Sequence, residues 1–394
     1  MRRIGANLLL TPDGSFLKNS YLEVQNDGMI VNVVDTKGCL QERAGIEFYN
    51  GILCPGFVNA HCHLELSHLL HRIEPHCGLH RFVGQVVKNR GASESDKYSA
   101  MRTADTYMQK SGIVAVGDIS NGTDSFAVKK QSNIYYHSFV EVFGTGSSAD
   151  SVFQVAQLLF DTHAHTHAMS IVPHSAYSVH PRLFELIAEH ARANGGIQSV
   201  HSQETSSEND MFISKTGSFF EGLSSSGFDY TWLTAGHRSS LAYMLPKISD
   251  SQNVLFIHNT FADEEDLRDA VEAIGADRCY FVLCPLSNLH IENALPALDI
   301  FRPYSSRICI GTDSLASNSK LSVLEEIKCL QASFPHVSLS ELLLWATVNG
   351  ARALGIDSRI GSFEVGKKPG VLLLENVDLA TKNLLPQSSV KVLI

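Results

Sequence analysis

Residues 52–70 of the chain read ILCPGFVNAHCHLELSHLL, and this stretch decides how the rest of the sequence is interpreted. Pro55 and Gly56 indicate a turn, and the apolar run after them predicts a buried strand that ends at His61 and His63. Because residues two apart project from the same face of a strand, both imidazoles point the same way and make half of a metal site. In a chain with 18 histidines such a pair also arises by chance on a surface strand, so the pair alone leaves both interpretations open.

Composition narrows the class of protein. The 394 residues exceed one average domain, but a (β/α)8 barrel with attached elements accommodates them without an independent second domain. A net charge of −10, with both signs interspersed and no basic patch, argues against nucleic acid as a partner. No apolar run is long enough to span a bilayer, and residues 1–10 read as a strand rather than a signal peptide. The eight cysteines form no Cys-x-x-Cys, which indicates reduced thiols in a cytoplasmic protein.

Apolar runs alternate with amphipathic helical segments, such as 181–194 and 263–274, from Gly56 onward. Eight buried strands are predicted, at 57–61, 112–118, 133–141, 168–174, 197–201, 254–258, 279–284 and 307–312. Eight successive strand-then-helix units predict the α/β fold class, with the parallel strands closed into a (β/α)8 TIM barrel.

The two ends of the chain show a different pattern of predicted secondary structure from the middle. Short strand-like runs and turns fill residues 1–52 and return after Gly361, at 362–365, 370–375 and 390–394. Because the first group is too short to hold a good core alone, the simplest packing joins residues 1–54 and 362–394 in one small composite β-sandwich. Residues 55–361 then form the metal-dependent barrel.

Active-site residues of a barrel come from the carboxyl ends of its strands, so the polar residues that follow each apolar run are candidates. They are His61, His63, His174, His201, Glu204, His258, Asp313 and Ser314. Any one of them alone is more readily explained as a hydrogen-bonded rim residue. Together they bring imidazoles and a carboxylate to one barrel mouth, and this ligand set suits Zn²⁺ or Fe²⁺. A further histidine cluster at 163–167 precedes the fourth strand, so we expect it at the opposite face as a solvated connection.

The order of these motifs resembles the amidohydrolase superfamily, which comprises metal-dependent hydrolases on a (β/α)8 barrel with a small β-sandwich built from both chain ends. The resemblance rests on PGFVNAHCH at 55–63, on His201 and His258, and on GTDS at 311–314, and it extends to residues 346–355 and 360–367. HSQE at 201–204, PHS at 173–175 and TDSLASN at 312–318 look most like the deaminase and chlorohydrolase branch. HLELS at 63–67 looks closest to the aminodeoxyfutalosine-deaminase-like members of this branch, which also includes the S-adenosylhomocysteine deaminases.

This resemblance implies one divalent metal ion, zinc first and iron second, with His61, His63, His201 and Asp313 as its ligands. The ion would supply hydroxide for attack, with Asp313 accepting the water proton. His258 would hold that hydroxide, or ligate as well, and Glu204 would carry a proton to a ring nitrogen and then to the leaving amine. Two-metal relatives use a bridging lysine or carboxylate after strand four, where this chain has His174, so one metal is expected.

The implied substrate contacts are His174, Glu65 and Ser314, with a structural ion pair as the alternative for Glu65 and a loop-stabilising role as the alternative for Ser314.

The sequence predicts a hydrolytic deaminase of an aminated purine or nucleoside-like heterocycle. The alternatives are hydrolysis of an amide or C–Cl bond in another cyclic substrate, and a non-catalytic relative, which the intact ligand set disfavours. The expected partners are a small-molecule substrate and water, with a homo-oligomer left open. The segment 216–227, rich in serine and glycine, is either a mobile lid or a surface loop.

Overall fold

The computed structural model describes residues 1–39, 45–248 and 252–394. Within these ranges the strands are β1 (Arg2–Leu10), β2 (Phe16–Lys18), β3 (Tyr21–Val24), β4 (Ile30–Val34), β5 (Ile46–Cys54), β6 (Phe57–Cys62), β7 (Ile113–Ser120), β8 (Tyr135–Val142), β9 (Ala168–Pro173), β10 (Gln198–Ser202), β11 (Val254–His258), β12 (Cys279–Leu283), β13 (Ile308–Ile310), β14 (Leu372–Asp378) and β15 (Asn383–Val392). The helices are α1 (Leu79–Asn89), α2 (Glu94–Lys110), α3 (Phe126–Gln131), α4 (Ala149–His163), α5 (Pro181–Asn194), α6 (Ser206–Ser214), α7 (Ser218–Ser225), α8 (Ser240–Met244), α9 (Glu264–Ile274), α10 (Pro285–Glu292), α11 (Leu298–Phe301), α12 (Val323–Ser333), α13 (Leu339–Leu344) and α14 (Gly350–Ala353). Short 3-10 segments are Leu64–Leu69, Leu245–Lys247 and Arg302–Arg307, and Trp345–Asn349 is a π-helical turn.

The strands β6 to β13 are all parallel and form two four-stranded sheets, in the orders β6-β7-β8-β9 and β10-β11-β12-β13. This confirms the predicted α/β fold with parallel sheets. The edges of the two sheets meet at isolated parallel bridges, Cys62 with Asp313 on one side and Ser175 with His201 on the other. Each predicted strand of this region is present, and β11 coincides with the predicted range 254–258.

Burial on both faces explains why these strands read as apolar runs. In β11, Val254 and Phe256 join a large cluster shared with the surrounding helices, whereas Leu255 and Ile257 belong to a separate inner cluster that includes Leu354. The alternation therefore separates a helix-facing layer from an interior layer. The left-handed backbone of His258, with φ of 70°, interrupts this alternation where the strand ends.

Both ends of the chain lie in a single seven-stranded sheet. Its order is β15-β14-β5-β1-β3-β4, with β2 paired to β1, and β5 runs parallel to β1 but antiparallel to β14. Its apolar face carries a core of its own with Ile4, Leu22, Leu53 and Leu373. The sequence did not indicate β2. That this sheet folds over as a sandwich stays a prediction.

The predicted strand at 362–365 is wrong. Those residues lie in turns between Gly361 and Gly366, which both have φ of 90°, a conformation that an extended run cannot contain. Phe363 is nonetheless buried in the core of the terminal sheet, which is why the segment reads as strand-like.

Two helices match the sequence closely, because their ends carry strong signals. α5 has the predicted bounds and begins with Pro181, and α9 follows the N-cap Asp263, whose carboxylate accepts from the Asp266 backbone N–H in a capping box. Within the segment 216–227, where a lid or loop was expected, the structure has helix α7. Each helix in the described ranges is too short or too polar to cross a membrane.

Candidate metal centre and active site

The predicted site residues converge at the carboxyl ends of the parallel strands. His61 lies in β6 and His63 directly after it, His201 lies in β10, His258 ends β11, and Asp313 follows β13. These strands belong to different sheets, so the clustering depends on how the sheet edges meet.

The edge between β6 and β13 is held by a reciprocal pair of hydrogen bonds. Asn59 Nδ2 donates to Thr312 Oγ1 at 2.7 Å, and the Thr312 backbone N–H donates to Asn59 Oδ1 at 3.0 Å. The backbone N–H groups of Thr312 and Asp313 both donate to the His61 carbonyl. Gly311 permits this approach, since a Cβ there would lie 2.9 Å from His61 Cβ. The histidine-bearing and aspartate-bearing chain segments are thus locked in register.

Three imidazole nitrogens face one another at the centre of the site. His63 Nε2 lies 3.1 Å from His61 Nε2 and 3.3 Å from His201 Nε2. His201 Nδ1 lies 3.0 Å from the His174 carbonyl, which can only accept, so Nδ1 carries the proton and Nε2 presents a lone pair. Nitrogens bound at about 2.0–2.1 Å around a tetrahedral ion stand about 3.3–3.4 Å apart. The spacing therefore fits shared ligation of one cation.

Asp313 completes this donor set. Its Oδ1 lies 3.4 Å from His63 Nε2 and 3.7 Å from His61 Nε2. Its Oδ2 accepts hydrogen bonds from Ser287 Oγ and Ser317 Oγ, both at 2.6 Å. The residue has a φ of 55°, an uncommon conformation outside glycine that turns the carboxylate back over the end of the strand.

Burial sets the protonation states that metal binding requires. Desolvation holds the pKa values of His63 and His201 well below the usual range, and the neighbouring imidazoles lower them further. Burial alone would raise the pKa of Asp313, but the imidazoles of His61, His63 and His258 that face it outweigh burial and hold that pKa well below its usual range. Neutral imidazoles beside a carboxylate are the forms that ligate Zn²⁺ or Fe²⁺, so the residues present fit such an ion.

His258 and Glu204 form a buried pair beside the donors. His258 Nε2 lies 3.6 Å from Glu204 Oε1, and its Nδ1 lies 2.8 Å from Asn288 Oδ1. Burial lowers the pKa of His258 to about 4. Burial, with the charges of Asp313 and Glu208, raises the pKa of Glu204 well above its usual range. The pair therefore places a carboxyl whose pKa burial raises beside an imidazole whose pKa burial lowers, which suits proton transfer.

Glu208 fixes the backbone that carries Glu204. Its Oε2 accepts from the Glu204 N–H at 3.2 Å, and its Oε1 accepts from the Gln203 N–H at 3.3 Å. The side chain is completely buried in the first turn of α6, where a carboxylate also suits the helix dipole. This brace was not anticipated from the sequence, although an acid in the first turn after a site residue is a recognisable signal.

The three predicted substrate contacts fall in different places. His174 and Ser314 line the same cavity as the metal donors. Glu65 points elsewhere: its Oε2 accepts from the Asn121 N–H at 3.0 Å and its Oε1 from Ser125 Oγ at 3.2 Å. The structure thus brings His174 and Ser314 to the donors and gives Glu65 a bracing position on the segment after β7.

Some residues of the site escaped the sequence reasoning. Ser287 and Asn288, which hold Asp313 and His258, lie in α10 after β12, a strand whose end carries neither histidine nor acid. Searching that strand end for any polar residue would have found them. The buried ion pair of Lys129 Nζ with Asp118 Oδ2 at 2.7 Å was also missed; Asp118 Oδ1 accepts from the Leu64 N–H, next to His63.

The donors open into a cavity with about 980 Å³ of empty space, including the part open to solvent. Its polar lining includes His63, His201, His258, Glu204 and Asp313, with Glu141 and His174, and its apolar lining includes Leu79, Phe82 and Val86. A small organic molecule with one polar, reactive end matches this division of the lining.

Comparison with known proteins agrees with this architecture. The model of the amidohydrolase family matches residues 52–391. The chain is 27% identical over 330 residues to an adenosine deaminase of Helicobacter pylori, covering 82% of this chain and 78% of the relative. It is 26% identical over 337 residues to an aminodeoxyfutalosine deaminase of Nitratiruptor, covering 83% and 79%. The crystal structure of Helicobacter pylori aminofutalosine deaminase in complex with methylthio-coformycin superimposes with a TM-score of 0.80 at 23% identity, covering 95% and 92% of the two chains. The chain therefore belongs to the amidohydrolase family.

Proposed function

We propose that this amidohydrolase is a hydrolytic deaminase that removes the amino group of an aminated purine or nucleoside-like heterocycle as ammonia. The observation that carries the proposal is the buried Glu204 carboxyl, which lies 3.6 Å from His258 Nε2 beside the cluster of imidazole donors and whose pKa burial raises. Deamination of such a ring needs a proton on a ring nitrogen and later one on the departing amine, and a buried acid can deliver both in turn, with the attacking water as the source of the second proton. The relatives named as deaminases add support.

The metal site that we propose consists of His61, His63, His201 and Asp313, with Zn²⁺ as the first candidate and Fe²⁺ as the second. A divalent ion held there would supply hydroxide at neutral pH, because it would lower the pKa of bound water from 15.7 to about 7. The donors fall into the overlapping groups His61–His63–Asp313 and His61–His201–His258, and a third group, Glu141, His174 and His201, lies nearby. Because His201 Nδ1 keeps its proton for the His174 carbonyl, we favour one ion.

The chain's own residues divide the proton transfers between them. Asp313 Oδ1 faces the donors while Oδ2 is held by two hydroxyls, so Oδ1 is the acceptor for the water proton. Since Asn288 Oδ1 faces Nδ1 of His258, that nitrogen carries the proton and Nε2 is free to accept a hydrogen bond from the attacking water. Glu204, 3.6 Å from that Nε2, donates to the ring nitrogen. His174 contributes to the wall that contacts the substrate.

The same proposal extends to the fold. We infer that the two parallel sheets close into one (β/α)8 barrel over residues 55–361, supported by the bridges at both sheet edges. We infer also that residues 1–54 and 362–394 form a composite β-sandwich, supported by their shared sheet and core. A small-molecule substrate with water, a cytoplasmic location and a homo-oligomer remain predictions.

The test combines elemental analysis with ammonia release across adenine-, guanine- and cytosine-type compounds, including aminodeoxyfutalosine. We expect about one zinc per chain and ammonia from one ring class. The Glu204→Gln variant should keep its metal and lose ammonia release, whereas Asp313→Ala should lose both. Chloride or a cleaved amide in place of ammonia, or two metals with no ammonia, would overturn the proposal.

A further inference from the structure

A buried lysine ammonium lies behind the metal donors. The side chain of Lys129, in α3, is 2% exposed, and that of Asp118, in β7, is completely buried. Lys129 Nζ lies 2.7 Å from Asp118 Oδ2, 2.8 Å from Ser120 Oγ and 2.9 Å from Ser138 Oγ. Three oxygens thus surround the three protons of the ammonium. Because an apolar pair of similar volume often stabilises a protein as well as a buried ion pair does, stability alone does not explain these charges.

The other carboxylate oxygen of Asp118 contacts the chain segment that carries His63. Strands β6 and β7 are parallel neighbours, and Cys62 lies opposite Asp118 in their register. Asp118 Oδ1 accepts from the Leu64 backbone N–H at 2.8 Å. That N–H belongs to the same planar peptide unit as the His63 carbonyl, so the hydrogen bond fixes the ψ angle of His63, which is 82°. The direction in which the chain leaves this proposed metal donor is therefore set by Asp118.

Helix α3 braces the same segment from a second side. Ser125, which immediately precedes α3, donates from its Oγ to Glu65 Oε1 at 3.2 Å. Lys129 lies one turn further along the chain, and its Nζ lies 5.4 Å from the centre of the Phe126 ring. Residues 63–65 are thus held between the end of β7 and the start of α3. In the part of the chain that the structure describes, Asp118 has no ion pair besides the one with Lys129, so Lys129 holds the carboxylate in place.

We propose that Asp118 and Lys129 are positioning residues for the metal donor His63. Asp118 orients the peptide that follows His63, and Lys129 keeps the Asp118 carboxylate directed at the N–H of that peptide. His63 Nε2 lies 3.1 Å from His61 Nε2 and 3.3 Å from His201 Nε2, so a rotation of its backbone changes both spacings. The inference rests on the metal site of the proposed function and is independent of which ring is deaminated.

Two double variants that both remove the charge pair test the proposal. Asp118→Asn/Lys129→Met keeps an oxygen that accepts from the Leu64 N–H, whereas Asp118→Leu/Lys129→Met has a side chain of the same branching and no acceptor. Zinc affinity of the full-length protein is measured by competition with a chromogenic chelator. We expect the first double variant to bind zinc like the parent protein and the second to bind it roughly 10- to 100-fold more weakly. The visible absorption of the cobalt-substituted proteins, which depends on ligand geometry, should change only in the second.

Lys129→Met alone gives a second readout. It leaves the Asp118 carboxylate buried without its counter-ion, so we expect zinc binding to weaken roughly tenfold and the urea midpoint to fall. Adding Asp118→Asn to this variant should restore the zinc affinity, a rescue that a general folding defect would not show. Lys130→Met, at the exposed next position of α3, is the matched control and should bind zinc like the parent protein. A Lys129→Met protein with the zinc affinity of the parent would overturn the role of Lys129.

The outcomes separate this inference from the proposed function. Equal zinc affinities and cobalt spectra in the two double variants overturn the inference and leave the deaminase intact. A parent protein that binds no zinc overturns the metal site and this inference with it. Zinc affinities in the expected order, without ammonia release from any compound, support the inference and overturn the deaminase.

Discussion

At the level of single residues, the candidate site depends on which nitrogen of each imidazole carries its proton. The His174 carbonyl settles this for His201, because a carbonyl accepts and never donates. The same logic applies to Asp313, where two hydroxyls occupy one oxygen and leave the other for the donors. Such supporting contacts commonly change metal affinity 10- to 100-fold when they are removed.

Ser317→Ala therefore tests the support of Asp313. The variant leaves Oδ2 with one hydrogen bond, from Ser287, so the carboxylate is less well oriented toward His63. We expect zinc affinity, measured by competition with a chromogenic chelator, to fall roughly tenfold. Ser319→Ala, two positions on and exposed, should bind zinc like the parent protein. Equal affinity in both variants would show that the Ser317 hydroxyl does not orient the ligand.

A residue far from the donors predicts how stability changes with pH. Burial, and secondarily the charge of Lys129, lowers the pKa of His137 to about 4, and its Nε2 lies 2.8 Å from Ser170 Oγ. Above a pH of about 6.5 the imidazole is neutral in both the folded and the unfolded chain, and it adds no pH dependence. Between that pH and about 4 only the unfolded chain takes up the proton, so the free energy of unfolding falls, by up to about 3 kcal/mol from this group.

Urea unfolding of His137→Gln at pH 7 and pH 4.5 measures this contribution. The loss of stability on acidification should be smaller in the variant than in the parent protein. His165→Gln, at an exposed position, is the control, and it should lose as much stability between pH 7 and pH 4.5 as the parent protein does. Identical losses in all three proteins would contradict the assignment.

At the level of elements, helix α6 fixes the backbone of the preceding segment through Glu208. Both of its carboxylate oxygens accept from backbone N–H groups, and Gln203 there has a φ of 49°. A segment in this uncommon conformation keeps its shape only when its surroundings hold it. Glu208 is thus a positioning residue for Glu204.

Glu208→Gln should lower kcat roughly 10- to 100-fold, because small displacements of a reacting group are costly. KM should change little, since Glu208 is not among the side chains that line the cavity. The alkaline limb of the kcat–pH profile should also move to lower pH, because removing the Glu208 charge lowers the pKa of Glu204, and a purely structural defect would not produce this shift. Glu221→Gln, an exposed acid in the first turn of α7, is the matched control. Unchanged kcat and pH profile in Glu208→Gln would contradict this role.

Element by element, the agreement with the sequence follows the strength of the local signal. α5 and α9 match because Pro181 and Asp263 mark their starts, and β11 matches because a pure apolar run ends in a polar residue. The segment 362–365 failed because Phe363 is buried from within a turn. The apolar face of α1 could not be distinguished from a face that packs on the core. The periodicity of apolar residues predicts that a helix has an apolar face, but not whether this face contacts the core or a cavity.

Among the site residues, too, those with a strong local sequence signal were predicted and those without one were not. Residues at strand ends were predicted because a parallel barrel brings strand ends together. Glu65 follows the end of β6 and was expected at the cavity. Its carboxylate instead accepts hydrogen bonds from Asn121 and Ser125 on another loop, and these contacts orient the side chain. Contacts between loops that are far apart in the chain produce no regular residue pattern, so they could not be predicted from the sequence.

At the level of the whole molecule, the donors come from two sheets, so their geometry depends on the contact between β6 and β13. Asn59 and Thr312 form a fully buried reciprocal pair there. Removing one partner leaves buried polar atoms unpaired, which costs about 1–3 kcal/mol for each.

Asn59→Ala should therefore lower the free energy of unfolding by about 2–4 kcal/mol, as measured in urea without metal. Added zinc stabilises whatever binds it, so the deficit should grow when saturating zinc is present if the donors have moved apart. Asn194→Ala, at the exposed end of α5, should unfold like the parent protein. A deficit that is the same with and without zinc would mean that the pair stabilises the fold but not the metal site.

The seven-stranded terminal sheet has a consequence for synthesis of the chain on the ribosome. β5 pairs with β1 on one edge and with β14 on the other, and Arg2 Nη1 donates to the Leu393 carbonyl at 2.8 Å. Strand β5 must therefore wait, with one edge unpaired, until β14 at Leu372–Asp378 has emerged. An unpaired edge of this kind recruits other strands, so the nascent chain is most exposed to misassembly while residues 55–361 are being made. Slow translation of that middle region would prolong the exposure, and a chaperone that shields the early strands would shorten it.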